Sequence, residues 1–193
     1  NIGVKEKMIM EEQWRKIRNY IRGFWNGDKK AFETIIDTHM EAVIYFINRF
    51  VKNVDIAEDL AQDVFVYVLI NKKEYDFKYS LKTYLYTIGK CRAINYLKRE
   101  KRIVSLAENM YQDENDIEEI VFKKEKNKNI RKAINKLSNE QSQVIFLVDI
   151  EELSYKEACR VMGTSMSSLK SLIHRARKNL KKILVKEEEK YDR

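Results

Sequence analysis

The chain has 193 residues, enough for one or two domains with a buried core. It contains no proline and 5 glycines, where average usage would give roughly ten and thirteen; this excludes turn-rich β-sandwiches and barrels and leaves no glycine loop to cradle a phosphate. With 44 % hydrophobic and 35 % charged residues and a net charge of +8, it reads as an all-α protein able to meet a polyanion. Cys91 and Cys159 lie far apart without CxxC spacing, which argues against a disulfide framework or zinc finger and fits reduced thiols in the cytoplasm. No run approaches the ~18 apolar residues of a membrane span. Residues 1–10 carry no apolar core of an export signal, so none is expected.

Asp28 is placed to cap a first helix that carries Ala31, Phe32, Ile35 and Ile36, then Val43, Ile44, Phe46, Ile47 and Phe50, at helical spacing. The pattern breaks at Asn53. Asp55, with Glu58 three residues on, predicts a capped second helix burying Ile56, Leu60, Val64 and Val68. Its other face carries Glu58, Asp59, Gln62 and Asp63, which suits either solvent or a basic partner protein; spacing alone leaves both open. A metal site is not expected there, since one helix face supplies too few ligands.

Residues 72–102 have a net charge of +7 and interleave ten Lys and Arg with Tyr75, Phe77, Tyr79, Tyr84, Tyr86 and Tyr96. Lysines neutralise phosphates and aromatic faces stack on unpaired bases, so this block suits a single or melting strand; tyrosines at a core rim are the competing explanation. Leu81, Leu85 and Ile88 set a helical stripe after an irregular lead-in from Lys73 to Ser80. Residues 103–120 then fall to a net −6 with weak periodicity and read as a flexible acidic linker. The expected organisation is two helical domains, residues 11–102 and 124–186, joined by a linker at 103–123.

The second half holds the most specific signal, from Leu153 to Leu172. Ser154 and Glu157 form a capping box, Cys159 is small enough for a close helix crossing, and Gly163 can end the helix left-handed. Leu169, Leu172, Ala176 and Leu180 face inward from the helix that follows. Its outward face carries Ser168, Lys170, Ser171, His174, Arg175, Arg177 and Lys178, which together with the net +7 of residues 164–186 suits a major groove. A helical hairpin in an ordinary bundle is the alternative, less favoured by this spacing.

Taken together, these segments resemble the sigma-70 family of bacterial RNA polymerase sigma factors, in its small extracytoplasmic-function group. Asp55-Ile56-Ala57-Glu58-Asp59-Leu60-Ala61-Gln62-Asp63-Val64-Phe65 is similar to the family's helix that docks on the polymerase β′ clamp. The resemblance assigns Glu58, Asp59, Gln62, Asp63 and Phe65 to that contact. Leu81 to Lys90 and Ala93 to Arg99 resemble the segment that opens and reads the −10 element. This implies DNA contacts from Lys78, Tyr79, Ser80, Tyr84, Tyr86, Lys90, Cys91, Asn95, Lys98 and Arg99. Leu137 to Leu147 with the helix-turn-helix resembles the part that reads the −35 element and binds the β flap, implying contacts from Ser167 together with the seven outward residues named above.

Tyr84, Cys91 and Asn95 stand where the family usually has Trp, Asn and Asp, and Ser167-Ser168-Leu169 replaces Gly-Thr-Val. These changes are sterically mild and leave the promoter sequence open. The resemblance implies promoter-directed initiation without catalysis by this chain, no cofactor, no metal, a cytoplasmic location without membrane insertion, and control by an anti-sigma factor. His39 and His174 are isolated, the first structural and the second expected to contact phosphate. A stand-alone helix-turn-helix regulator binding duplex DNA is the rival reading.

Overall fold

The computed structural model describes residues 22–106 and 128–191, and every regular element among them is helical. The outer parts of the expected domains (11–21 and 124–127) and most of the expected linker (107–123) lie outside the described residues.

A short helical stretch at 22–25 leads through Gly27, at φ +94°, into α1 (Lys29–Val51). Asp28 caps α1 as expected: it is extended, and its carboxylate accepts from the amides of Lys30 at 2.9 Å and Ala31 at 3.4 Å. Lys52 ends the helix in the left-handed region. The cap of α2 (Val54–Ile70) differs from expectation, because Asn53 rather than Asp55 occupies it. Asn53 is extended and accepts from the Ile56 amide at 3.1 Å. Asp55 lies inside the first turn, where its charge faces the positive end of the helix dipole.

The buried stripe of α2 is also rotated from the expected one. Ala57, Ala61, Val64, Phe65 and Val68 form it, while Ile56 and Leu60 are half-buried at its edge. Two alanines a turn apart let the helix axes approach closely, so packing rather than side-chain size selects the seam. A short 3-10 turn (Lys72–Glu74) precedes α3 (Leu81–Leu106), which continues four residues into the segment read as linker. Gly89 of α3 lies against α1: a Cβ there would stand 3.3 Å from Ile47 Cγ1. A side chain there would have to push Ile47 aside by a few tenths of an ångström.

The second group comprises α4 (Lys128–Asn135), α5 (Asn139–Ile145) with a π-turn over Phe146–Ile150, α6 (Tyr155–Met162) and α7 (Met166–Tyr191). The capping box is present as read, with Glu157 accepting from the Ser154 amide at 3.1 Å and the Ser154 hydroxyl receiving the Glu157 amide. Gly163 takes φ +67°, the left-handed conformation expected of it. Inward from α7, Leu169, Ile173 and Ala176 are buried, whereas Leu172 and Leu180 are only half-buried.

The buried residues of both groups form one continuous cluster. Its junction is Phe146, fully buried, with ring centroids 5.1 Å from Tyr45, 5.6 Å from Tyr86 and 5.8 Å from Phe46. Burying one such ring contributes about 1.5–3 kcal/mol, and the edge-on contact with Tyr86 adds to it. Beside it, buried Arg49 donates to Asn135 Oδ1 at 2.6 Å and to the Tyr45 hydroxyl. The second group is therefore packed against the first.

Candidate nucleic-acid and polymerase-binding faces

Helix α7 begins behind Ser165, whose hydroxyl accepts from the Ser168 amide at 3.2 Å and shares hydrogen bonds with the Ser167 and Ser168 hydroxyls. With Leu169, Ile173 and Ala176 turned inward, helical geometry turns the other side out. Ser167, Ser168, Lys170, Ser171, His174, Arg175, Arg177 and Lys178 are all exposed, so the whole expected −35 set lies in one accessible strip. Arg177 is the member already engaged: its guanidinium grips Asp149 through Nε–Oδ2 at 3.2 Å and Nη2–Oδ1 at 2.5 Å. Those bonds foremost raise its pKa above the ordinary guanidinium value. Arg177 thus braces α7 against the π-turn.

Of the ten residues expected at the −10 element, Lys78, Tyr79 and Ser80 precede α3, and the other seven are spread over more than one face of it. Tyr84, Cys91, Asn95 and Lys98 recur at helical spacing, and of these Cys91, Asn95 and Lys98 are exposed and Tyr84 half-buried. Arg99 flanks this strip and is exposed, as is Lys78 in the lead-in. About a third of a turn away, the other face meets α6. Ser80 donates its hydroxyl to Glu157 Oε1 at 2.5 Å and its amide to the same oxygen at 3.4 Å, and Thr83 Oγ1 donates to it at 3.0 Å. Lys82 Nζ bridges Glu151 Oε2 at 3.0 Å and reaches the Glu151 carbonyl at 3.1 Å. Lys90 donates to the Met162 carbonyl, and the Arg160 guanidinium lies 3.9 Å over the Tyr79 ring.

Tyr86 corrects the expected set. It is 1 % exposed, its ring held between Phe46 and Phe146, so no base can reach it in this arrangement. Burial foremost, and then the Glu151 carboxylate, push its hydroxyl well above the usual phenol range. Half-burial would raise the pKa of Glu157, but the hydrogen bonds from Ser80, Ser154 and Thr83 outweigh it and the carboxyl ends below its ordinary value. Burial lowers that of Lys90.

On α2, Glu58, Asp59, Gln62 and Asp63 are exposed together on the outer side. Phe65 is the second correction: at 2 % exposed it belongs to the core, because its position continues the Ala57–Ala61 seam rather than the acidic strip. The strip extends instead into Val66, Leu69 and Ile70, the last 73 % exposed. The signal for that patch was the uncharged run 64–71, longer than one buried stripe can absorb.

Phe77 is a further candidate, one that the family resemblance does not assign. It is 63 % exposed at the end of a row of rings in which Trp25 and Tyr75 touch it and Tyr75 touches Tyr84. Trp25 Nε1 is anchored on the Lys72 carbonyl at 2.6 Å, and the Tyr75 hydroxyl on the Tyr79 carbonyl at 2.7 Å. Burial foremost raises the Tyr75 pKa to about 12. The row is held rigidly next to Lys78, a geometry suited to stacking on an unpaired base. No helix among the described residues is long and apolar enough to cross a membrane.

Comparison with known proteins matches these two helical groups separately. The family described as Sigma-70 region 2 matches residues 35–103, and Sigma-70, region 4 matches residues 127–180. RNA polymerase sigma factor YlaC of Bacillus subtilis (strain 168) is 29 % identical over 166 residues, covering 83 % of this chain and 96 % of the relative. ECF RNA polymerase sigma factor SigW of the same organism is 27 % identical over 180 residues, covering 87 % and 96 %. Among solved structures, the sigma factor RpoE in complex with the anti-sigma factor NepR from Bartonella quintana shares the fold. Its TM-score is 0.66 at 24 % identity, with 80 % of this chain and 97 % of that one covered. The paired region 2 and region 4 matches, over helices that carry an outward acidic strip and a capped helix-turn-helix, make this chain a member of the sigma-70 family of RNA polymerase sigma factors, in its extracytoplasmic-function group.

Proposed function

We propose that this sigma factor docks on core RNA polymerase through the outer side of α2 and reads a promoter with two separate helices. Glu58, Asp59, Gln62 and Asp63 meet the β′ clamp, and Val66, Leu69 and Ile70 extend that contact. Ser167, Ser168, Lys170, Ser171, His174, Arg175 and Lys178 read the −35 duplex from α7. The outward strip of α3 (Tyr84, Cys91, Asn95, Lys98 and Arg99), with Lys78 and Phe77, receives the unpaired −10 strand. The single observation that carries this reading is the outward polar and basic strip of α7, exposed along its length on a capped helix-turn-helix. Residues 11–102 form the core-binding and melting domain, 103–123 the linker and 124–186 the −35 domain, in keeping with the matched ranges.

Polymerase supplies the chemistry, and the chain itself is not an enzyme. Its place is the cytoplasm, where polymerase and promoter are. A relative of the same fold was solved with its anti-sigma factor, which supports a dedicated protein inhibitor here also. Transcription in vitro with core polymerase, with and without the full chain, tests the whole reading. Initiation at a source-genome promoter should appear only when the chain is added. Asp59→Lys/Asp63→Lys should lose about tenfold or more of that activity, since it places like charge where the basic partner docks. No initiation at any promoter, or full activity of the double variant, would overturn it.

A further inference from the structure

We propose that Asp149 is a positioning residue for −35 reading: it holds the Arg177 guanidinium, which sets the angle of α7 and keeps that charge off the DNA. This rests on the reading that α7 lies on the −35 duplex.

Helical period places Arg177 near the DNA contacts, and the side-chain geometry removes it from them. Its Nε donates to Asp149 Oδ2 at 3.2 Å and its Nη2 to Oδ1 at 2.5 Å, the paired fork that a phosphate would otherwise take. Tyr155, the first residue of α6, lies beside the same guanidinium and adds to its raised pKa. The π-turn, the start of α6 and the middle of α7 thus meet at one cation. Two residues on, Asn179 Nδ2 donates to Gln141 Oε1 of α5 at 3.2 Å, so α7 is tied twice on this side. Gly163 turns the chain at the far end of α6. A turn alone leaves the angle between two helices soft, and a tie at the opposite end fixes it.

The place of Asp149 depends on the π-turn. The Glu151 amide donates to the Phe146 carbonyl at 2.9 Å, an i→i+5 bond that widens the helix by one residue and turns its side chains away from an α-helical path. On α7, Arg177 lies four residues past buried Ile173, at the border of the inward strip. Ser171, His174 and Lys178 recur on the outward side. Base edges are read from the outward side, whereas a long cation at the border reaches the phosphates flanking the groove. Unpaired, Arg177 would add affinity for any duplex and no preference among sequences. Paired, it holds α7 at one angle and leaves discrimination to the outward residues.

The test uses holoenzyme assembled from core RNA polymerase and the full chain, with two duplexes. One is the duplex most enriched from a randomised pool by the wild-type holoenzyme, the other a mixed-sequence duplex of equal length. The readings are the ratio of the two affinities and, for the mixed-sequence duplex, the slope of log affinity against log salt. Asp149→Ala should lower the ratio about fivefold, the factor that a half-exposed pair corresponds to. It should also steepen the slope by about one unit, as the freed guanidinium takes a phosphate. Arg177→Ala should lower the ratio similarly and leave the slope unchanged. Asp149→Ala/Arg177→Ala should combine the low ratio with the wild-type slope, and Asp149→Glu, which keeps a carboxylate, should retain most of the ratio. A pair that only stabilises the fold would weaken both duplexes alike, and that result overturns the proposal. So does an Asp149→Ala slope equal to wild type, or an Arg177→Ala slope shallower by about one unit, which would make Arg177 a phosphate contact. If Lys170→Glu/Arg175→Glu leaves the ratio at its wild-type value, the −35 reading itself is wrong and the positioning role falls with it.

Discussion

The two basic helices of this protein carry the same formal charge, +7 over residues 72–102 and +7 over residues 164–186, yet they stand in different states. On α7 every residue assigned to the −35 duplex is exposed, and only Arg177 is tied to another element among the described residues. On α3 one strip is free while the neighbouring face is already satisfied by Glu157, Glu151 and the Met162 carbonyl. Net charge measures attraction toward a polyanion. Availability depends on what already holds the donors, because a bond to DNA must then replace an existing bond rather than one to water.

The largest perturbation of this contrast is Phe146→Ala. Removing a fully buried ring shared by both helical groups should cost about 3–5 kcal/mol in urea unfolding. Amide exchange should lose protection in α1 and α3 as well as in α5; protection lost from the second group alone would show that the two fold independently. Next comes Gly163→Ala, which forces a side chain into φ +67°. It should cost about 1–2 kcal/mol, read as a lower melting temperature. The −35 strip should suffer more than the α2 docking face, since the strained turn sets the angle of α7.

Lys178→Ala should leave folding unchanged and reduce the slope of log affinity against log salt for a duplex by about one unit. Lys90→Ala should change the corresponding slope for a single strand by less, because the Met162 carbonyl already holds that ammonium group. The smallest effect is pH dependence. The Glu157 carboxyl is held below its ordinary value where it meets Ser80 and Thr83. Its contribution to stability is therefore complete above that ordinary value and lost as the pH falls through the lowered one. Urea unfolding should show no change from this group between about pH 6 and 8 and a loss only in acid. A loss already at neutral pH would assign the effect to other groups.

Signals confined to a few neighbouring residues could be read directly. Asp28, the Ser154–Glu157 box and Gly163 end or start helices through bonds within one turn, so their roles do not depend on distant packing. The α7 strip was legible for a related reason: Leu169 and Ala176 fix which side is buried, and helical period then dictates the other. Asn53 displaced Asp55 as a cap because both residue types can cap, and the chain's path decides which one is extended. Phe65 and Tyr86 were misassigned because an aromatic residue suits a binding face and a core equally well.

By itself, then, the sequence determined an all-helical chain in two parts, the acidic strip on α2 and the outward basic strip on α7. Composition, caps and helical period are local quantities that survive any rearrangement of the parts. Only the tertiary structure decided that Phe65 and Tyr86 are buried and that Glu157 and Glu151 hold α3. Those facts join residues some 70 positions apart. Nothing in either segment alone records which surface the other will cover, because burial is a property of the pair.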